Sequence, residues 1–226
     1  MSESATVLLV ATTREEAASC LRRDARLNRD RILAAAAQAF AEDGLSVSLV
    51  EIARRAGVGN ATLHRNFTKE QLVEELFRDW YAHRQVVAER ALADPDSWHG
   101  LVCFVEDVLG TCNRAIAALF AIRPDWRERF HALMRDLLTR AQDAGAARSD
   151  LTVEDVTLVL LGVARTMTIT GQASPELWRR HLAIVLDGMK ARHTQRLPGL
   201  PPDPVQLESD LRAWTCQVLR TGEVWP

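Results

Sequence analysis

A chain of 226 residues, 47% of them hydrophobic and 26% charged, is long enough to bury a sizeable core and too rich in apolar residues for a disordered or fibrous polymer. Its net charge of −2 argues against a general nucleic-acid coat, and no apolar run approaches the roughly 18 residues that would span a bilayer. The charge is uneven, however: residues 22–69 hold nine basic against five acidic side chains, so the remainder carries a net −6. A basic module on an acidic body suits a DNA reader with a separate regulatory part. The same excess also fits ordinary fluctuation over 48 residues.

Long stretches of Ala, Leu, Arg and Glu with little Gly predict an all-α fold. The N-terminal run Val7–Ala11 is too short for a signal h-region and has no basic segment before it. Cys20, Cys103, Cys112 and Cys216 are widely spaced with no C-x-x-C. They are expected to be reduced thiols of a cytoplasmic protein.

In chain order, residues 1–27 lack sustained periodicity and read as an arm, with room for a short helix at Arg14–Arg23. A first helix is predicted over 28–41, with Ile32, Ala36, Ala39 and Phe40 as its apolar stripe and Gly44 as the C′ glycine after it. Ser48 fits an N-cap, with Glu51 completing a capping box. The helix it opens covers Leu49–Ala56 and stops at Gly57, and a third runs from about Gly59 to Asn66. Longer helices are predicted at 69–92, 96–121, 124–144, 152–170, 174–193 and 203–220, punctuated at Asp94-Pro95, Arg123-Pro124, Gly145, Ser174-Pro175 and Asp203-Pro204. Both Ser174 and Asp203 stand where a capping residue precedes a proline at N1.

The segment Leu49–Phe67 carries the sharpest signal. Two short helices that cross steeply need a small residue at the contact and a left-handed glycine between them. Ala53 and Gly57 sit in those roles, while Ile52, Val58, Leu63 and Phe67 supply apolar contacts. The remaining face, Gly59, Asn60, Thr62, His64, Arg65 and Asn66, is small or polar. Such a face can enter the major groove, where Asn pairs bidentately with adenine and Arg with guanine. An ordinary αα-corner with a solvated face would show the same spacing.

From Arg31 to Leu72, the residues Ile32-Leu33, Phe40, Gly44, Ile52-Ala53, Ala56-Gly57-Val58, Thr62-Leu63, Phe67 and Lys69-Glu70-Gln71-Leu72 strongly resemble the DNA-binding domain of the tetracycline-repressor (TetR) family. The resemblance implies a three-helix helix-turn-helix domain over 28–73 and a helical effector-binding and dimerisation domain over 74–226. It implies that Ser48 caps the second helix beside a phosphate, that Gly59, Asn60, Ala61, Thr62, Arg65 and Asn66 lie along groove and backbone, and that Lys69 meets a phosphate. The family usually has Tyr where this chain has His64, whose imidazole is shorter and titratable. The stretch between Phe67 and Lys69-Glu70 is one residue shorter than usual.

By the same resemblance, the helices after residue 75 enclose a site for a small-molecule effector. Trp80, Phe104, Trp126, Phe130 and Met134 fall on them as candidate walls, with Asn113, His131, Arg165 and Thr166 as candidate orienting groups. Core packing alone would explain most of the aromatic residues. The helices at 152–170 and 174–193 would form a dimer seam through Val156, Val159, Leu160, Val163, Leu182, Val185 and Met189. No catalytic or metal-ligand spacing is evident, so no cofactor and no enzymatic activity is expected. The expected partners are operator DNA, a small-molecule effector and a second copy of the chain, with no membrane. The alternative is a helical ligand-binding or interaction protein whose DNA-binding head has degenerated.

Overall fold

A computed structural model describes residues 23–40, 42–111, 124–171, 174, 176–192 and 195–221. Nine α-helices carry the described chain: α1 (23–40), α2 (Leu49–Ala56), α3 (Asn60–Asn66), α4 (Lys69–Ala93), α5 (Ser97–Thr111), α6 (Pro124–Asp143), α7 (Val153–Thr170), α8 (Leu177–Gly188) and α9 (Pro204–Thr221). The expected all-α class holds; the described residues contain no strand beyond an isolated antiparallel bridge between Ala147 and Lys190. No described helix is long and apolar enough to cross a membrane. The chain divides into two compact units, 1–77 and 78–226.

In the first unit, Ile32, Ala36, Ala39 and Phe40 of α1 are buried, as are Ile52 and Ala53 of α2 and Leu63 of α3. Phe67, Leu72 and Phe77 are buried as well. The helix α1 already includes residues 23–27, which corrects the boundary of the expected arm. Those residues are exposed, so they carry no apolar stripe to betray a helix, yet Arg, Ala and Leu favour one intrinsically. Residues 1–22, including the possible helix at Arg14–Arg23, lie outside the described residues.

In the second unit, α5 packs on α6 and α7, α6 also packs on α7, and α7 lies along α8. Their shared core includes Leu101, Phe104, Phe130, Met134, Leu137, Val156, Leu160, Val163, Trp178 and Leu182. Helix α7 opens with a complete capping box: Thr152 Oγ1 accepts from Asp155 N while the Asp155 carboxylate accepts from Thr152 N. The helix expected from Ser174 begins instead at Leu177, with Glu176 at the N-cap and no side-chain cap. It ends at Gly188, and the chain then turns back so that Arg148 N donates to Met189 O and Ala191 N to Ala146 O, each at 3.0 Å. Asp203 behaves as expected, accepting from Gln206 N at 2.8 Å ahead of Pro204.

Candidate nucleic-acid interface and effector domain

Ser48 caps α2 by accepting from Glu51 N at 3.2 Å. The reciprocal half of the expected capping box is absent, because the Glu51 carboxylate is taken by arginine. Arg54 grips it through two nitrogens at 2.7 and 2.6 Å, and Arg55 Nε reaches it at 2.8 Å. A charge-assisted bidentate pair outcompetes a neutral backbone donor. Hydrogen bonds from Arg54 and then Arg55 hold the Glu51 carboxyl down at about 2. Arg55 also reaches Glu42 at 2.7 Å and Asp43 at 2.8 Å, which ties α2 to the segment after α1. Sequence reading missed this clamp, since its partners lie 12 and 13 residues away.

Gly57 closes α2 in the left-handed region at φ 66°, ψ 32°, and Gly59 then stands at the N-cap of α3. Seven residues make α3, and its sidedness is sharp: Leu63 is fully buried, whereas Asn60, Ala61, His64, Arg65 and Asn66 are exposed and Thr62 is half-buried. Arg65 Nε donates to Ala61 O at 3.1 Å and Asn66 Nδ2 to Thr62 O at 2.6 Å. These are bonds within the helix, leaving the terminal guanidinium nitrogens of Arg65 directed at no described side chain. Helix α4 starts at Lys69 despite the shortened connection. Thr68 Oγ1 accepts from Gln71 N at 3.2 Å and Gln71 Oε1 accepts from Thr68 N at 2.8 Å, a capping box. Two capped helix N-termini, at Ser48 and Thr68, thus present positive dipole ends within the same small unit. Arg29 reinforces it, pairing with Glu75 at 2.9 Å and stacking over Phe67 at 4.7 Å.

In the second unit, the structure brings three of the candidate effector residues into one ring cluster. Trp80 and Phe130 have centroids 5.7 Å apart, and Phe104 and Phe130 6.1 Å. Met134 and Trp126 are buried as well. His131 is buried, and its Nε2 lies 3.2 Å from Thr157 Oγ1. That hydroxyl donates to Val153 O at 2.9 Å, which leaves its oxygen lone pairs facing the imidazole. Burial pushes the His131 pKa below its usual value. Thr166 stands at the contact of α7 with α8, where its hydroxyl meets His181 Nδ1 at 2.7 Å. Arg165 is half-buried and has no ion-pair or hydrogen-bond partner among the described residues. Asn113 lies outside the described residues. Sequence reading also missed Arg84, a buried arginine over the Trp80 ring at 4.8 Å that bonds Asp107 and Thr111.

The residues assigned to a dimer seam need correction. Val156, Leu160, Val163, Leu182 and Met189 are buried within the single chain, so they pack the protomer's own core and have no surface left for a partner. Val159 and Val185 are half-buried against that core. The surface apolar residues of the two helices are Leu158, Ile169, Leu177 and Ile184, with Ile169 70% and Ile184 64% exposed. Amphipathic periodicity marks the stripe facing the core, and the opposite stripe was read past.

Two family models match the chain. One described as bacterial regulatory proteins, tetR family, covers residues 32–76, and one described as transcriptional regulator SbtR-like, C-terminal domain, covers 106–191. The chain is similar to the crystal structure of the TetR transcription regulatory protein from Mycobacterium vanbaalenii, at 30% identity over 75% of this chain and 99% of that one, with a TM-score of 0.52. A TetR transcriptional regulator from Streptomyces coelicolor is 32% identical over 72% of this chain and 98% of its own, with a TM-score of 0.53. FadR from Bacillus subtilis, solved with stearoyl-CoA, shares the fold at 17% identity over 71% and 99% of the two chains, with a TM-score of 0.53. No curated protein matches the chain. With both models matched and two relatives spanned almost end to end, the chain belongs to the TetR family of transcriptional regulators.

Proposed function

We propose that this regulator is a homodimeric repressor whose α3 helix reads an operator and whose second unit releases it on binding a small molecule. The observation that carries the DNA-binding half is the division of labour on α3: Leu63 alone anchors the helix in the core while Asn60, Ala61, His64, Arg65 and Asn66 face outward. Arg65 and Asn60 then choose sequence, and Gly59, Thr62 and Asn66 support them along the groove. Ser48, at the first capped terminus, and Lys69, at the second, serve the phosphates. His64 lies against the backbone in the place of the usual tyrosine. Dimerisation uses the surface apolar residues of α7 and α8 named above. The effector sits among Trp80, Phe104, Phe130, Met134 and Trp126, with His131 as an orienting group. By linkage, an effector that lowers operator affinity is bound less tightly by the operator complex, by the same factor.

Fluorescence anisotropy on duplexes from the protein's own promoter, across a salt series, tests the proposal. Arg65→Ala and Asn60→Ala should each cost about 1–3 kcal/mol on the preferred site and relax choice at one base pair, whereas Lys69→Ala should weaken all sequences alike and reduce the salt slope by about one. Binding that is equally weak on all duplexes and unchanged in these variants refutes the DNA-reading role and leaves a helical ligand-binding protein with a degenerate head.

A further inference from the structure

Helix α9 begins beyond residue 191, where the matched C-terminal domain stops, and the described chain ties it to the second unit in two different ways. Ahead of it stands a polar clasp. Arg148 is buried; it pairs with Asp150 at 2.9 Å and donates to Gln195 O at 2.6 Å, and Leu197 N donates to the same Asp150 carboxylate at 3.1 Å. Gly199 then turns the chain at φ 79°, a conformation that glycine adopts without strain. Within the helix the tie is an ion pair, Glu208 with Arg127 of α6. The surrounding packing is thin: Leu207 and Leu211 are only half-buried, and no residue of 204–214 is buried outright. Val205 is 77% exposed.

Arg127 is a buried cation at a telling position. On α6 it follows Trp126 and stands one turn before Phe130 and His131, the residues that carry the ring cluster and its polar neighbour. Its charge reaches His131, whose pKa it helps to lower, burial being the main cause. We infer that Arg127 seats the anionic head of the effector and that Glu208 fills the seat in the effector's absence, so that α9 is a strap which an amphipathic anion displaces. The inference rests on the reading that the aromatic residues around Phe130 form the effector site. To that reading it adds a ligand class: an apolar body bearing an oxyanion head, whether carboxylate, sulfonate or phosphate.

The charges on both sides of the exchange stay paired. Removing one partner of a buried ion pair strands the other, which is strongly destabilising. A neutral effector would strand Arg127 in this way, whereas an anion replaces one oxyanion by another. Glu208 is provided for as well, since it also meets Arg212 at 3.3 Å, one turn along α9. On leaving Arg127 it keeps that cation beside it, and as a side chain already 37% exposed it is readily hydrated. Rotation about Gly199 leaves the clasp intact, because Gln195 and Leu197 precede the turn.

The test titrates a matched pair of fluorescent probes, 1-anilinonaphthalene-8-sulfonate and the neutral N-phenyl-1-naphthylamine, against the full-length wild type, Glu208→Gln and Phe130→Leu. The probes share one ring system and differ by the sulfonate. Glu208→Gln should bind the sulfonate about tenfold more tightly than the wild type, the lower end of what a hydrogen bond to a charged group contributes, and the neutral probe within about twofold. Adding Arg127→Met to Glu208→Gln should remove that gain. In the wild type the sulfonate should speed amide hydrogen exchange along α9 while the Leu197 amide keeps its protection. Far-UV dichroism checks that the variants remain folded. Equal sulfonate affinity in the wild type and Glu208→Gln, or equal gains for both probes, would overturn the inference. If Phe130→Leu still weakens both probes in that case, the aromatic effector site stands without the strap; if it weakens neither, both readings fall.

Discussion

Gly100 and Gly110 lie on the same helix, α5, and the structure assigns opposite signs to the same substitution at the two positions. A Cβ added at Gly100 would stand 2.3 Å from the carbonyl oxygen of Ala91, well inside the 3.0 Å limit that real Cβ atoms respect. Ala91 O cannot easily retreat, because it accepts from Arg140 Nη1 at 3.3 Å and from Asp94 N at 3.4 Å. Gly100 is itself buried, so α5 and the end of α4 would have to part by nearly 1 Å. Overpacking of that kind costs about 1–3 kcal/mol, and the helix propensity gained returns only about 0.5–1 kcal/mol. A Cβ at Gly110 meets nothing within 4 Å among the described residues, so Gly110→Ala keeps the propensity gain. For a chain of this size each kcal/mol moves Tm by about 2–4 °C. The net loss of about 0.5–2 kcal/mol at Gly100 should therefore place Gly100→Ala below the wild type by about 1–8 °C and Gly110→Ala above it by about 1–4 °C in thermal denaturation followed by far-UV dichroism. A Gly100→Ala protein as stable as the wild type, or shifts of one sign at both positions, would refute the close approach of α5 to the Ala91 carbonyl.

At the proposed dimer seam, Ile184→Glu and Ile169→Glu should yield folded monomers that bind operator weakly, whereas Val163→Glu should unfold the protomer; sedimentation and dichroism on the same samples separate the two outcomes. Leu63→Ala should cost about 2–5 kcal/mol of stability and abolish operator binding, which chemical denaturation and anisotropy would show together. Burial depresses the His131 pKa below 6.5, so the folded state resists protonation that the unfolded chain accepts. Its contribution is complete above pH 6.5 and is lost as pH falls toward the depressed value. Denaturation midpoints from pH 8 to pH 5 should decline less in His131→Leu than in the wild type.

The helix-turn-helix was legible because each of its parts has a local signature. Ser48 announces a cap, Gly57 a left-handed turn, and Ala53 a close crossing, all within ten residues. Local signals fail where no local cause exists. Residues 23–27 are helical but exposed, so no stripe marks them, and Ser174-Pro175 looks like a helix start although the cap falls at Glu176. The residues Val156, Leu160 and Val163 were assigned to a dimer seam but are buried within the single chain, because periodicity cannot say whether the covering surface belongs to the same chain or to another. The pairs Arg84–Asp107 and Arg55–Glu42 join residues too far apart in sequence for any spacing rule. The Asp94 carboxylate that meets His99 Nδ1 at 2.7 Å sits in a turn whose shape only the fold reveals.

The brevity of α3 has a consequence for how such a protein can change over generations. Leu63 is the one fully buried residue of the helix, while five neighbouring positions are exposed. Substitutions at Asn60, Ala61, His64, Arg65 and Asn66 are therefore nearly free of any stability threshold, where those at a core position would be purged. After a gene duplication, two copies could drift apart in the base pairs they prefer one residue at a time, each intermediate remaining a folded protein. The innovation would be filtered only by which promoters the new surface happened to fit.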